Sequence, residues 1–420
     1  MSTLLVGATQ VVTCRGPARA RRGAEMSALE VLTDAAVLMD DDGIISRVGP
    51  YSELRAGNAA TVVEVQGTLF PGFVDCHTHA VFGAPRLADH ERRARGETYQ
   101  AIAAAGGGIL SSVRDVRARS SDALLDSARG RLSAMLALGT TTVEIKSGYG
   151  LALDHELKQL DVVRALAAEP VSVIGTFLGA HEVPEEHRAN PDAYVDLVIH
   201  EMLPAIKRQG VARFCDVFCE PGVFTVAQSR AVLEAAKALG FGLKLHADEL
   251  EPSGGAELAA ALGATSADHL AAISEAGIAA LAASPAVAVL LPGTMLFLGR
   301  PRQAPARRLI DAGAAVALAT DFNPGSSPGL SLPLMAMLGV SQLRMLPAEA
   351  MVAITVNAAA ALGEAATRGQ LAPGFRADVV LAAVEDWREL PYWYGVNPVR
   401  QVWIRGAACH SSGAPLHLAN

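Results

Sequence analysis

Two histidines one residue apart, His77 and His79, are the side chains of this sequence best suited to metal chemistry. They follow residues 72–75, a short apolar run that predicts a strand. Side chains two residues apart on an extended strand project to the same face, so both imidazoles could bind one ion. The pair alone is weak evidence, because two histidines in a polar loop are common. A hydrolytic metal site needs further ligands from elsewhere in the chain.

The chain around this pair alternates between two kinds of pattern. From about residue 72 to residue 321, β-branched apolar runs are separated by helical patterns, which is typical of βαβ units and a parallel sheet. Eight such runs cover residues 72–75, 141–146, 171–176, 214–218, 242–246, 265–268, 286–291 and 315–320. Eight is the strand count of an α/β fold of the (β/α)8 TIM-barrel type. An open doubly wound sheet is the alternative, but the first strand lacks a G-x-G-x-x-G turn.

The two ends of the chain have a different pattern. Short strands are predicted at residues 37–39, 44–48, 61–65, 378–381 and 402–405. We expect them to pair into a small β-sandwich domain made of residues 1–68 and 372–420. The barrel would then comprise residues 69–371.

Polar residues fall at the ends of several predicted barrel strands. His77 and His79 follow the first strand, His246 ends the fifth, His269 follows the sixth, and Asp321 follows the eighth. In a barrel of this kind the active site lies at the carboxyl ends of the strands. Any one of these histidines alone would more often be a buried side chain satisfied by hydrogen bonds. Their joint placement predicts a catalytic metal site, with three imidazoles, one carboxylate and a position open for water.

Glu249 lies three residues after His246, within reach of the same site. A carboxyl group there is suited to pass a proton to a leaving nitrogen. The alternative is an exposed acid in a loop with Asp248 and Glu251.

Composition excludes several classes of protein. With 51% apolar and 19% charged residues, the chain has the composition of an ordinary soluble globular protein. Its net charge of −8 gives no basic surface for nucleic acid. Five scattered cysteines favour a reducing cytoplasm over a disulfide framework. Residues 276–299 carry no charge, but prolines divide them into pieces too short to span a membrane. The basic stretch of residues 15–22 is predicted to be a solvated loop.

Longer motifs give these residues a family context. The sequence resembles the metal-dependent amidohydrolase superfamily. The segments that carry the resemblance are residues 70–79, 139–150, 177–181, 215–220, 266–269 and 320–326. They span the whole predicted barrel.

The resemblance implies a ligand set, a substrate and an assembly. The implied metal ligands are His77, His79, His246 and Asp321. The implied substrate contacts are Arg86, Tyr149, His181, Glu249, Asn323, Gly325 and Ser326. One ion per chain is expected, with zinc favoured and iron as the alternative, and the chain is expected to form a homodimer. The implied reaction is hydrolysis of the cyclic amide of 4-imidazolone-5-propanoate to N-formimidoyl-L-glutamate in histidine degradation.

Three of the implied contacts suit this substrate chemically. Arg86 suits the carboxylate tail, since a guanidinium binds a carboxylate through two parallel hydrogen bonds; the alternative is a surface salt bridge. Tyr149 could stack on the ring or bond to it, or could close the barrel mouth. His181 could donate to the ring carbonyl, or pack in a loop.

The expected mechanism uses three catalytic residues. Asp321 accepts a proton from the attacking water, His269 helps to stabilise the oxyanion, and Glu249 protonates the departing nitrogen. Another cyclic amidohydrolase, or deamination of a pyrimidine-like ring, is the alternative reaction, and a non-catalytic barrel is the alternative from another class. A second, bridged metal would need a Lys or Glu on the fourth strand, which has no Lys, so one ion is favoured.

Overall fold

The computed structural model describes residues 2–54, 61–98, 101–102 and 105–412. Within these ranges, seven strands come before the barrel. They are β1 (Thr3–Val6), β2 (Gln10–Val12), β3 (Val31–Leu32), β4 (Ala35–Met39), β5 (Ile45–Pro50), β6 (Thr61–Glu64) and β7 (Thr68–Pro71).

The following strands form a nearly closed barrel in which every pair of neighbours is parallel. They are β8 (Phe73–Asp75), β9 (Thr140–Lys146), β10 (Ser172–Ala180), β11 (Ala212–Cys219), β12 (Gly242–Leu243), β13 (His246–Ala247), β14 (Ser266–His269), β15 (Val287–Leu290) and β16 (Ala315–Leu318). β12 and β13 both pair with β11 and are two parts of the fifth barrel strand. All seven residues of β9 are buried, as expected for a parallel strand covered on both faces. The predicted barrel is confirmed.

Among the described residues, one helix lies between β5 and β6, and further helices separate the barrel strands and follow β16. They are Tyr51–Leu54, Leu87–Ala94, Ile109–Ala118, Ser121–Ala137, Leu153–Ala165, Pro191–Leu197, Leu203–Gln209, Val226–Ala238, Gly255–Leu262, Glu275–Ala283, Pro292–Phe297, Ala306–Asp311, Leu332–Ser341, Pro347–Ala353 and Val356–Ala360. Several begin at a side chain that accepts a backbone N–H hydrogen bond, as Ser120, Thr225 and Ser274 do. Over the described ranges, each helix is too short or too polar to cross a bilayer.

Among the described residues, the barrel is followed by the strands β17 (Val379–Ala382), β18 (Val399–Ile404) and β19 (Ala407–Ser411). One sheet has the order β5-β4-β1-β6, and the other has the order β19-β18-β17-β7-β2-β3. Leu5 and Val37 of the first sheet share a buried cluster with Val379 and Trp403 of the second. Strands from both ends thus build one sandwich, as predicted. Its proposed limits, residues 1–68 and 372–420, stay a prediction; β7 pairs with β17 up to Pro71.

The basic stretch 15–22 differs from the prediction. Arg21 is 2% exposed and its backbone N–H donates to Oδ1 of Asn357. Arg22 donates to Ser284 O (2.7 Å) and Ala282 O (2.6 Å), at the carboxyl end of the helix Glu275–Ala283. The prediction of a solvated loop is wrong for these two arginines, because their guanidinium groups donate to backbone carbonyls: those of Cys14 and Ala28 for Arg21, and those at the end of a barrel helix for Arg22.

Candidate active site

Closure of the barrel brings the first histidine pair next to the last strand. The backbone N–H of Asp321 donates to His77 O (3.0 Å), and that of His79 donates to Phe322 O (2.8 Å). Nε2 of His77 and Nε2 of His79 each lie 3.5 Å from Oδ1 of Asp321. Two imidazoles and a carboxylate are therefore within reach of a single ion.

Two further histidines come from β13 and β14, which are neighbours in the sheet. The ring centroids of His77 and His246 are 4.5 Å apart, and those of His246 and His269 are 5.0 Å apart. His77, His246 and His269 can together approach one ion. His269, predicted to be catalytic, thus lies in the same cluster as the predicted ligands.

The donor atoms of this cluster suit a divalent metal. Burial lowers the pKa of His77, His79 and His269 well below the ordinary value, so these rings are neutral, which is the form that binds metals. Nε2 of His77 and Nε2 of His246 are buried and have no hydrogen-bond partner among the described residues. Buried polar atoms are normally satisfied, so these two orphaned nitrogens fit a bound ion.

Asp321 lies where it can bind a metal, and the pKa of its carboxyl group is altered. Thr294 Oγ1 donates to its Oδ2 (2.6 Å), which leaves Oδ1 facing the histidines. Burial raises the pKa of Asp321 to about 6. Its φ of +51° lies in the left-handed region that is uncommon for residues with a side chain. A carboxylate with a pKa close to neutrality is suited to accept a proton from water.

Two carboxylates behind the histidines are not among the predicted site residues. Oδ2 of Asp268 lies 2.6 Å from Nδ1 of His77, and Oδ2 of Asp216 lies 3.0 Å from Nδ1 of His246. A carboxylate at Nδ1 keeps the proton on that nitrogen and leaves Nε2 available for a metal. The sequence signal was an acidic residue inside each of two predicted strands.

Glu249 lies in the loop after β13, with its side chain only 12% exposed. Its Oε2 is 3.6 Å from Nδ1 of His269. Burial, reinforced by the negative charges of Asp321 and Glu220, raises the pKa of Glu249 to about 8. Glu249 is therefore protonated at neutral pH and can donate a proton, which an exposed acid could not do.

Glu220, which follows β11 and was not predicted as a site residue, holds this loop in place. Its carboxylate accepts hydrogen bonds from the backbone N–H groups of Glu249 (3.0 Å), Leu250 (3.2 Å) and Glu251 (2.8 Å). Three converging N–H groups define the path of the main chain here. Glu249 is thus positioned through its backbone, and its carboxyl end is left uncommitted.

Arg86 precedes the helix Leu87–Ala94, and its side chain is 8% exposed. Within the described part of the chain, its Nε and Nη1 are buried without a hydrogen-bond partner. The acidic oxygen paired with it, Oδ2 of Asp89, is 4.0 Å from Nε. This is not a surface salt bridge, and two uncommitted guanidinium N–H groups suit a carboxylate.

The loop of residues 323–326 packs against Arg86. A Cβ on Gly325 would lie 1.6 Å from Nη2 of Arg86, so only glycine allows this approach. Oδ1 of Asn323 accepts hydrogen bonds from the N–H groups of Gly325 and Ser326, both at 2.8 Å. Nδ2 of Asn323 donates to Asp321 O (2.7 Å). The loop that presents the predicted contacts Asn323, Gly325 and Ser326 is therefore tied to the end of β16.

Tyr149 and His181 line the side of the cluster next to His79. The ring of His181 stacks on that of His79 at 5.1 Å and 17°, and Tyr149 lies 5.4 Å from His181. Nδ1 of His181 is 2.9 Å from Gly148 O, and a carbonyl only accepts, so Nδ1 carries the proton. Burial lowers the pKa of His181 to about 3. Its Nε2 is therefore an acceptor, better suited to a substrate N–H than to the ring carbonyl that the sequence analysis suggested as its partner.

Comparison with known proteins places this barrel in a family. The amidohydrolase family model matches residues 68–409. Among solved structures, a triazine hydrolase variant has a TM-score of 0.76 at 19% identity, over 100% of this chain and 96% of that one. Guanine deaminase from E. coli has a TM-score of 0.73 at 15% identity, over 98% and 99% of the two chains. These two likenesses concern the fold. The chain belongs to the amidohydrolase family.

Relatives at higher identity narrow this assignment. The imidazolonepropionase of Chloroflexus aggregans is 48% identical over 96% of this chain and 97% of its own length. That of Parabacteroides distasonis is 48% identical over 95% and 96% of the two chains. That of Solibacter usitatus is 45% identical over 98% and 99%. Within the amidohydrolases, the chain belongs with the imidazolonepropionases.

Proposed function

We propose that the protein hydrolyses the ring of 4-imidazolone-5-propanoate to N-formimidoyl-L-glutamate in the degradation of histidine. The observation that carries the proposal is the identity of 45–48%, over nearly the full chain, to enzymes named imidazolonepropionase. The chemistry of the site agrees with it. A cluster of neutral histidines and a carboxylate suits hydrolysis, and Arg86 beside it suits a substrate with a carboxylate tail.

The proposed metal ligands are His77, His79, His246 and Asp321. The orphaned Nε2 atoms of two of these histidines support this set, and the mixture of nitrogen and oxygen donors favours zinc, with iron as the alternative. When bound, such an ion lowers the pKa of a water ligand to ~7 and polarises a carbonyl group. Metal analysis of the purified protein decides between the two elements.

Binding of the substrate is assigned to the residues around the cluster. Arg86 holds the carboxylate tail, with Gly325 and Ser326 beside it. Nε2 of His181 accepts a hydrogen bond from a ring N–H, because its own proton is on Nδ1. Tyr149 packs against the ring. These contacts orient the ring carbonyl toward Asp321.

Hydrolysis then needs one water and two proton transfers. Asp321 accepts a proton from the water as its oxygen adds to the ring carbonyl carbon, and His269 faces the resulting oxyanion. The bond from this carbon to the ring nitrogen breaks as Glu249 gives its proton to that nitrogen. The carbonyl carbon becomes the new carboxyl group, and the proton on Asp321 returns to Glu249 through solvent. Burial raises the pKa of Glu249 to about 8, so this group holds a proton to give near pH 7.

The test is to incubate purified, metal-assayed protein with freshly made 4-imidazolone-5-propanoate. We expect loss of the ring absorbance together with formation of N-formimidoyl-L-glutamate, and loss of both signals after treatment with a chelator. Absence of turnover by protein holding about one ion per chain, the stoichiometry of a single-ion site, would reject this substrate. Other cyclic amides and aminopyrimidines would then be screened.

We also propose that the enzyme is a homodimer in the cytoplasm. Cys14, Cys76, Cys215 and Cys219 are buried thiols outside any disulfide within the described residues, which suits a reducing compartment. Analytical ultracentrifugation tests the dimer, since a monomer at micromolar concentration would contradict it. Cell fractionation tests the location.

A further inference from the structure

A lysine lies inside the barrel, behind the histidine cluster. Lys146 is the last residue of β9 and is fully buried. Its Nζ lies 2.7 Å from Oε1 of Glu144, 2.8 Å from Oδ2 of Asp216 and 3.8 Å from Oδ2 of Asp268. One ammonium group thus faces three carboxylates that come from three different strands, β9, β11 and β14.

Two of these carboxylates hold histidine ligands. Asp268 lies 2.6 Å from Nδ1 of His77 through the same Oδ2 that faces Lys146. Asp216 lies 3.0 Å from Nδ1 of His246 through Oδ2, and its Oδ1 accepts the backbone N–H of His246 (3.1 Å). The nitrogens on the far side of both rings are the orphaned Nε2 atoms.

The third carboxylate holds the backbone between His77 and His79, after the first barrel strand. Oε2 of Glu144 accepts a hydrogen bond from the N–H of Thr78 (3.2 Å), the residue between His77 and His79. The N–H of Lys146 itself donates to Thr78 O (2.9 Å). Each acid around the lysine is therefore attached to a different part of the ligand set.

Three carboxylates this close in a dry interior repel one another unless a cation lies between them. We propose that Lys146 is a positioning residue of the metal centre: it holds these acids at the spacing that presents the imidazole nitrogens of His77 and His246 to the ion. The proposal rests on the ligand set proposed above but not on the substrate. It concerns metal affinity, since partners behind the ligands commonly change affinity by about 10- to 100-fold.

The chain supplies a matched control in Lys244. This lysine is also fully buried inside the barrel. Its Nζ bonds to Ser266 Oγ (2.8 Å) and Ala361 O (3.2 Å), and it is 4.0 Å from Oδ2 of Asp268. Replacing Lys244 thus removes a buried ammonium from the same region without removing a bridge between the acids. A loss of Zn²⁺ affinity in a Lys146 variant that exceeds the loss in a Lys244 variant is therefore due to removal of the ammonium group between the acids.

The experiment compares Lys146→Met and Lys244→Met with the unmodified protein. Affinity for Zn²⁺ is measured by competition with a chromophoric chelator in the absence of substrate, and thermal unfolding of the metal-free proteins is measured alongside. We expect both variants to lose thermal stability, whereas only Lys146→Met weakens Zn²⁺ binding, by about tenfold or more. The visible spectrum of the Co²⁺-loaded protein should change in Lys146→Met alone.

Equal Zn²⁺ affinity in Lys146→Met and the unmodified protein would overturn the proposal, as would equal weakening in both variants. Should Lys146→Met fail to fold, the double variant Lys146→Met/Glu144→Gln removes one cation and one anion together and keeps an acceptor for Thr78. The same tenfold loss of affinity is expected of it, and an unchanged affinity would overturn the proposal. If the unmodified protein itself bound no metal, the proposed function would fail instead, so the two failures are distinct.

Discussion

The site has two parts that are held in different ways. The floor is the cluster of His77, His79, His246, His269 and Asp321. The rim consists of Arg86, Glu249 and the loop of residues 323–326. In the floor, the histidine rings are fixed by other side chains, as His77 is by Asp268, and their orphaned nitrogens face one point. In the rim, Glu249 and the loop of residues 323–326 are fixed through backbone N–H groups, and Arg86 keeps guanidinium N–H groups uncommitted. The floor is thus arranged before any ligand arrives. The rim keeps its reactive ends available for substrate.

The largest effect is expected from a change in the floor. Asp321→Asn removes a proposed ligand and the proposed base together, so kcat should fall by on the order of 10⁴-fold. Steady-state kinetics with metal content measured in parallel checks this. The same substitution at the exposed Asp311 is the control and should leave kcat unchanged. Normal turnover by Asp321→Asn would remove Asp321 from the mechanism.

Substitution of Glu249, the acid of the rim, should alter how kcat/KM depends on pH. Glu249 donates only when protonated, so kcat/KM should fall as the pH rises through its pKa of about 8. Glu249→Gln should lower kcat by about 10³-fold and abolish this alkaline decline. The control is Glu251→Gln, at an exposed neighbour in the same loop. A Glu249→Gln profile that still declines near pH 8 would assign the titration to another group.

Arg86→Ala tests the rim where it meets the substrate tail. Losing a charge-assisted pair of hydrogen bonds should raise KM by about 10- to 100-fold with a smaller change in kcat. Arg92→Ala, on the following helix turn and paired with Glu97, is the matched control. An unchanged KM in Arg86→Ala would mean that the tail is bound elsewhere.

The smallest effect is expected behind the rim, at Glu220. Its negative charge helps to raise the pKa of Glu249, so Glu220→Gln should move the alkaline decline of kcat/KM to lower pH. A displacement of less than about one pH unit is expected, because burial is the larger cause of the raised pKa. The pH profile of this variant measures the displacement. A move to higher pH would contradict the assignment.

The barrel was predictable because its signal is periodic. Buried strands such as β15 and β16 are continuous apolar runs, and helical patterns separate them. The fifth strand was predicted as one run but is divided into β12 and β13. Strands β1, β2, β3, β7 and β19 were not predicted. Most are two to four residues long, too short to show a period, and all except β19 pair with strands that are distant in sequence.

The site was predictable only as far as its residues follow strand ends. His77 and His79 are recognisable from local spacing, and His246 and Asp321 from their place after a strand. Lys146 and the three buried acids around it could not be predicted in this way, because their contacts depend on which strands become neighbours. Asp216 lies on the fourth barrel strand, β11, and the lysine that contacts it, Lys146, lies on the second, β9. The signal was present in Glu144 and Lys146, two charges that share one side of a strand whose other residues are uncharged.

The junction of β7 and β8 has a consequence for how the protein is made. Only Gly72 separates these strands, and it lies so close to Thr141 that a Cβ would be 2.3 Å from its Oγ1. β7 pairs on one side with β17, about 310 residues further along the chain. The strand that leads to the histidine pair is therefore secured at its beginning by a strand that is synthesised after all the described barrel strands. A ribosome-bound chain lacking residues 379–404 has most of its barrel strands but not this anchor, so metal capture should be a late event in biosynthesis.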